Sequence, residues 1–304
     1  MASILELPDQ GIVQSLGVGQ GVYGDLVFGE GTDWPVLAAE NLLAYESRIA
    51  DTPIPQRDGD MVNGRWAAGR IVVLPFKILG LTEHAARRTE WLSAFRADDP
   101  REEHWLVFKD HGGTYLVRAR VARHQMEQTP FGAQALSSNA VVELKLADPR
   151  VYDGEDWLQT AIPSYGAGAG GGFNLPVAQL PINMTAPTGG GTVFENTGQS
   201  TAYPLIRVTA VGSSMTAFEL ANLTTGQVVE VNTTVTAGQT LVIDMDGLIR
   251  AAAGPHIHIE GSSRYGSWVH PREPWGLAPG FNNLLVTVAG GTPFVRLDWL
   301  QPTL

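Results

Sequence analysis

The chain has 304 residues, 44% of them hydrophobic, with 35 glycines, 19 prolines, no cysteine and a net charge of −11. That length suggests two domains of ordinary size, and the glycine and proline content argues against an architecture of long helices. The missing cysteines exclude disulfides, thiolate nucleophiles and cysteine metal sites, and the acidic balance argues against grip on nucleic acid by phosphate neutralisation. The opening residues MASILELPDQ lack a basic stretch followed by an apolar run, so no signal peptide is expected, and no apolar run approaches the ~18 residues a membrane helix needs. The sequons at Asn183, Asn222 and Asn232 carry weight only in a secreted protein.

Near the start, GVGQGVYGDL places Gly19, Gly21 and Gly24 in a G-x-G-x-x-G frame. A dinucleotide site requires a helix immediately after such a loop, and a kinase loop requires further motifs downstream; neither is present. A tight turn or flexible loop is the expected role. Residues 70–79, RIVVLPFKIL, read as a strand that Pro75 displaces toward a sheet edge or a bulge. A helix is expected next, with Thr82 as N-cap, Glu83 in the first turn, and Ala85, Thr89, Leu92 and Phe95 on the packed face; Pro100 ends any continuation. Residues 104–109 and 114–121 alternate as strands around the turn at Asp110–Gly113, and residues 140–146 form another.

Charge density then changes. Residues 1–156 carry 15 Lys and Arg against 23 Asp and Glu, whereas residues 157–304 carry 5 and 8. The glycine-rich stretch YGAGAGGGF (165–173) follows the change. The expected organisation is an N-terminal domain over 1–156, a glycine-rich linker over 157–190 and a C-terminal domain over 191–304. Strand-like runs at 203–209, 216–221, 227–231, 240–244, 256–260, 283–288 and 294–299, with turns at Thr225-Gly226 and Ala237-Gly238, suggest an antiparallel sandwich. The fold class is therefore mainly β: an N-terminal sheet with one helix and a C-terminal antiparallel β-sandwich.

Three further groups of residues are of types that can carry chemistry. His256, His258 and Glu260 would share one face of a strand, as metal ligands can, with His270 as a fourth candidate; an ordinary strand with a polar outer face is the simpler expectation. Tyr265, Trp268 and Trp275 could stack on sugars if exposed, or anchor a core or subunit interface. The carboxylates Asp98, Asp99, Glu102 and Glu103 crowd one polar turn and read as solvated loop charge. Neither a nucleophile elbow nor H-E-x-x-H occurs. No catalytic, cofactor-binding or metal residue is assigned, and no cofactor is expected.

Short landmarks in order carry a resemblance. YESRIADTPIPQRDGD (45–60), GRIVVL (69–74), ILG (78–80) and ELKLADPRVY (143–152) lie in the first half. FENTGQSTAYP (194–204), NLTTG (222–226), LVID (241–244), WGLAPGFN (275–282) and VRLDW (295–299) follow in the second. Together they resemble the distal tail proteins of long-tailed phages. The first 40 residues and the glycine-rich stretch have no counterpart in that pattern. The resemblance implies a structural, non-enzymatic virion protein forming a homo-oligomeric ring, expected to be a hexamer, at the distal end of the tail and assembled in the host cytoplasm. It implies an N-terminal ring domain and a C-terminal galectin-like sandwich. The implied partners are the tail tube protein, a tail-tip hub or receptor-binding protein and the tape-measure protein. DNA would pass through the lumen without sequence-specific binding, and no membrane insertion is implied. The alternatives are a carbohydrate-binding module recognising the host surface and a metal-dependent β-sandwich enzyme.

Overall fold

The computed structural model describes residues 10–43, 47–49, 52–53, 60–61, 65–79, 83–96, 103–127, 137–155, 159–161, 190–250, 256–269 and 274–303. The chain divides into two compact units, residues 1–155 and 156–303.

The first unit begins with a short helix, α1 (Gln10–Ser15), and the hairpin β1 (Gln20–Tyr23) and β2 (Leu26–Gly29). Two small ladders follow: β3 (Ser47–Ile49) pairs with β6 (Arg65–Ala67), and β4 (Thr52–Pro53) with β5 (Asp60–Met61). Then come β7 (Arg70–Leu79), α2 (His84–Ala94), β8 (His104–Asp110), β9 (Gly113–Met126), β10 (Ser137–Leu146) and β11 (Tyr152–Asp153). One antiparallel sheet orders them β2-β1-β8-β9-β10-β7, with β11 on β9.

Pro75 does sit on an edge strand, for a reason visible in the backbone. The segment 35–40 runs along the free side of β7. Lys77 N donates to the Pro35 carbonyl (3.0 Å), Leu37 N to that of Pro75 (2.9 Å), and Val73 N to that of Glu40 (3.4 Å). Residues 73, 75 and 77 thus direct their backbone groups outward, and at position 75 only an acceptor is required. The N–H that proline lacks is one the β10 ladder never uses.

β9 is longer than its alternation suggests. Glu143 pairs with Arg123 but Leu144 with Val121, so Ala122 is an extra residue, a β-bulge. Up to Val121 the odd-numbered residues face the main core. Beyond the bulge His124 and Met126 turn that way, with His124 edge-on to Trp91 at 6.0 Å. The bulge moves Arg123 and Gln125 to the outer face. This hides the strand's second half from any strict two-residue period.

Helix α2 packs over β7 and β2 through Trp91 and Phe95, both fully buried, whereas Ala85, Thr89 and Leu92 are exposed. The expected packed face is therefore rotated by about one residue. The inward side carries His84, Arg87 and Arg88, each with a polar partner: Ser138 Oγ at 3.0 Å from His84 Nε2, Asp33 at 3.0 Å from Arg87, and Met126 Sδ at 3.1 Å from Arg88. Their apolar stems cover the core while their polar ends find neighbours, so hydrophobicity alone misassigns the face. Thr82 lies outside the described residues; Glu83 is the N-cap and makes no side-chain cap bond. Around Trp91 the core is an aromatic lattice of Tyr23, Phe28, Phe76 and Phe95.

The second unit is a two-sheet antiparallel sandwich. Its strands are β12 (Gln159–Ala161), β13 (Gly190–Asn196), β14 (Leu205–Val211), β15 (Ala217–Asn222), β16 (Gln227–Val231), β17 (Thr240–Asp244), β18 (Ile257–Ile259), β19 (Ser262–Ser263), β20 (Gly280–Ala289) and β21 (Thr292–Trp299), with the short helix α3 (Met245–Arg250) after β17. One sheet is ordered β12-β21-β14-β17-β18-β19 and the other β13-β20-β15-β16. Their inner faces meet in a core that includes Ile206, Val208, Phe218, Leu220, Ile243, Leu284, Val286, Trp275 and Leu297. β12 lies among residues read from the sequence as linker; it pairs with β21 and is part of this unit.

Candidate functional site

The glycine frame near the start is a β-hairpin. Tyr23 pairs with Leu26, so Gly24 and Asp25 form a two-residue loop with positive φ at Gly24 (58°) and not at Asp25, the pattern of a type II′ turn. Gly21 is inside β1, where a Cβ would come within 2.8 Å of the Val107 carbonyl oxygen and 2.9 Å of the Phe28 ring. No helix begins here; a second strand does. Close strand packing and a tight turn account for the glycines.

The histidine group does not assemble. The strand comprises only Ile257–Ile259, both isoleucines buried, and His258 alone of the three polar residues stands on it. His256 precedes it, its carbonyl accepting from Asp244 N at 2.8 Å. Glu260 sits in the following turn at φ 47° and accepts from Gln239 Nε2 at 3.2 Å. His258 Nδ1 accepts from Gly261 N at 3.2 Å, and burial pushes its imidazole below the ordinary value, with Asp244 pulling the other way. No cluster of three or more His, Asp or Glu able to hold a metal occurs among the described residues. His270, Asp98, Asp99 and Glu102 lie outside them.

The aromatic group is divided. Trp268 is 4% exposed and Trp275 0%, both in the sandwich core, while Tyr265 is 44% exposed and meets Trp268 edge-on at 5.8 Å. The two indoles are therefore core anchors and offer no stacking platform to a sugar.

What the landmark motifs do is structural. At Gly69 a Cβ would lie 2.6 Å from the Leu146 carbonyl oxygen, and the Arg70 fork donates to the carbonyls of Leu42 and Pro149, both at 2.8 Å. Burial pushes the Arg70 guanidinium down from its ordinary value, against the opposing charge of Asp148. Asp148 accepts from Arg150 Nε (2.9 Å), Arg150 Nη2 (2.6 Å) and Tyr152 Oη (3.1 Å). The residues of GRIVVL and ADPRVY thus knot the start of β7 to the chain leaving β10.

In the sandwich three buried asparagines have a comparable task. Asn222 Nδ2 donates to Gly276 O (3.0 Å) and Asn282 Oδ1 (2.9 Å). Asn282 Nδ2 donates to Ala278 O (2.7 Å), and Asn196 Nδ2 to Leu277 O (2.8 Å). They pin loop 275–280, with Trp275 beneath it, onto the four-stranded sheet. On the other sheet the buried Asp298 accepts from Thr160 Oγ1 (2.8 Å), Arg296 Nε (2.7 Å) and Arg207 Nη1, fastening β12. All these polar groups are bound within the fold and brace loops.

The outer faces of the sandwich differ. Registers along β13, β20, β15 and β16 put Val193, Glu195, Phe281, Asn283, Leu285, Glu219, Ala221, Val228 and Glu230 on one outer surface. Phe281 is 67% exposed, Val193 59%, and Leu223, just past β15, 54%. The sequence gives no sign of these three as exposed, because each adjoins strand residues that pack inward: Phe194, Asn222 and Asn282. The outer face of the other sheet carries Arg207, Thr209, Thr240, Asp244, His258 and Arg296 together with the apolar Val211, Val242 and Phe294.

Comparison with known proteins agrees with this geometry. Residues 197–300 match the family model for the siphovirus-type tail component, C-terminal domain, SPP1 Dit. No curated protein matches by sequence. Among solved structures, the Dit protein of phage SPP1, described as a paradigm of the hub adsorption apparatus in phages infecting Gram-positive bacteria, aligns with TM-score 0.58 at 14% identity, over 89% of this chain and 94% of that one. A chain of the phage P2 baseplate in its activated conformation with Ca aligns with TM-score 0.52 at 9% identity, over 92% and 97%. Its counterpart with Sr gives 0.53 at 10%, over 93% and 98%. The chain thus shares the fold of the SPP1 Dit protein and of these baseplate chains over most of its length, and residues 197–300 match the siphovirus-type tail component, C-terminal domain.

Proposed function

We propose that this protein is a structural, non-enzymatic subunit of a phage tail tip: a ring-forming hub, six copies to the ring, joining the end of the tail tube to the adsorption apparatus. The first unit forms the ring around a lumen through which DNA passes, and the second faces outward to hold tip or receptor-binding proteins. The protein is a virion component assembled in the host cytoplasm.

The observation that carries this reading is the likeness to a hub protein across both units in one chain, 89% of it, together with the family match in the second. The physics points the same way. The polar clusters are consumed in bracing loops, and the net charge of −11 suits a passage that must not hold DNA phosphates. A heterologous contact repeated about one axis closes into a ring. The test is the mass of the purified full chain in solution with electron micrographs of isolated tails. Rings of six, with antibody label at the tail end distal to the capsid, are expected. Label along the tail shaft, or absence from the particle, overturns the proposal.

A further inference from the structure

Both outer faces of the sandwich expose large apolar side chains, but Val211 (52%) and Phe294 (43%) on the six-stranded sheet stand beside Arg207 and Arg296, whereas the four-stranded sheet gathers three such side chains with no basic residue among them in the described residues. Phe281 on β20 stands opposite Glu195 on β13, and the next outward pair is Asn283 with Val193. On its other side Phe281 is flanked by the chain leaving β15: Thr224 Oγ1 accepts from Asn283 N at 2.9 Å, and Leu223 N donates to the Asn283 carbonyl at 2.8 Å. Three large apolar side chains, Val193, Leu223 and Phe281, each more than half exposed, therefore surround one point of the sheet. Leu285 and Val228, half-buried on either side of the buried Ala221, continue the apolar surface across β20, β15 and β16.

The charges on this face have one sign. Glu195, Glu219 and Glu230 stand on it, with Glu219 directly opposite Glu230, and no lysine or arginine does among the described residues. Glu230 accepts from Asn232 Nδ2 at 3.2 Å, but that neutral amide does not cancel the repulsion of two like carboxylates placed opposite each other, and a group of exposed large hydrophobics marks a binding site in a soluble protein. An occupant with an apolar centre edged by lysine or arginine resolves both features.

We propose that this face is where the subunit holds a second polypeptide of the tail, one presenting an apolar patch bordered by basic residues. The inference rests on the hub reading above and assigns its outward contact to the surface around Phe281. That ring centres the contact and the three glutamates set orientation and association rate.

The experiment places a photo-crosslinking benzoylphenylalanine at position 281 of the full chain during phage assembly, with the same substitution at Phe294, exposed on the other sheet, as control. Irradiated tails are digested and crosslinked peptides identified by mass spectrometry. The expected result is a crosslink from position 281 to a different tail protein, at a peptide carrying apolar residues with Lys or Arg, and none from position 294. Combining it with Glu195→Lys and Glu219→Lys is expected to cut the yield at least about tenfold while ring formation is unchanged. Crosslinks to another copy of this chain, to residues 162–189 of the same chain or to cell-wall sugar overturn the proposal, as does equal yield from both positions. Those results leave the hub reading standing. Absence of the chain from tails removes that reading and this inference with it.

Discussion

At the scale of single residues, the second unit depends on amides that sequence reasoning notices only as parts of short landmarks. Asn222 donates to Gly276 and Asn282, and its Oδ1 accepts from Thr224 N at 3.1 Å. Asn222→Ala strips these partners inside a sealed core, and a buried polar group left unpaired costs ~1–3 kcal/mol each. A loss of about 2 kcal/mol, lowering the melting temperature of a unit this size by roughly 4–8 °C, is expected by calorimetry. His258 gives a pH dependence. Its imidazole is held below the ordinary value of 6.5, chiefly by burial, so the unfolded chain takes up the proton first as pH falls. Its contribution is therefore fully present above pH 6.5 and is lost as pH drops through and below that value. Melting temperatures measured from pH 7.5 to 5 are expected to fall less steeply in His258→Asn, which keeps an acceptor for Gly261 N–H but does not titrate. An equal slope in both proteins rules this role out.

At the scale of elements, the strands were legible wherever one face is apolar and the other polar. Residues 70–79, 104–110 and the central sandwich strands announce themselves by alternation, and the edge position of Pro75 follows from its missing donor. Legibility failed where a local device breaks the period. The bulge at Ala122 reverses the faces of β9, and the inward side of α2 carries two arginines and a histidine whose polar ends have private partners. The candidate ligand triplet failed similarly, since a three-residue strand cannot align residues four positions apart. The face of α2 is open to a direct check. Trp91→Ala is expected to destabilise by about 3–5 kcal/mol and Leu92→Ala by less than about 0.5, read from denaturant midpoints. The reverse order would restore the face expected from sequence. The outward Phe281 was not legible at all, because a phenylalanine next to a run of core leucines reads as one of them.

At the scale of the whole molecule, each unit has its own core, and the two substitutions above report on different ones. Two calorimetric transitions are expected, with Asn222→Ala shifting one and Trp91→Ala the other. The order of the landmarks, more than any one of them, made the resemblance readable, and several of them mark places where the backbone is braced: Gly69 and Arg70, Asp148, Asn196, Asn222, Trp275 and Asn282. No such brace reveals which surface meets a neighbour. That depends on what the fold leaves uncovered, and only the assembled sheets display it.

The belt of residues 35–40 along β7 bears on how copies can join. From Ile71, whose carbonyl accepts from Asn41 Nδ2 at 3.4 Å, to Lys77, the outward backbone groups of that margin are already taken by the same chain. A neighbouring molecule finds no vacant hydrogen-bonding rail there on which to extend the sheet, so lateral growth into continuous β-ribbon is blocked on that flank. Subunits that meet on this side must do so by fitting side-chain surfaces together, and the rotation such a fit imposes then sets whether the series closes into a circle or runs on as a filament.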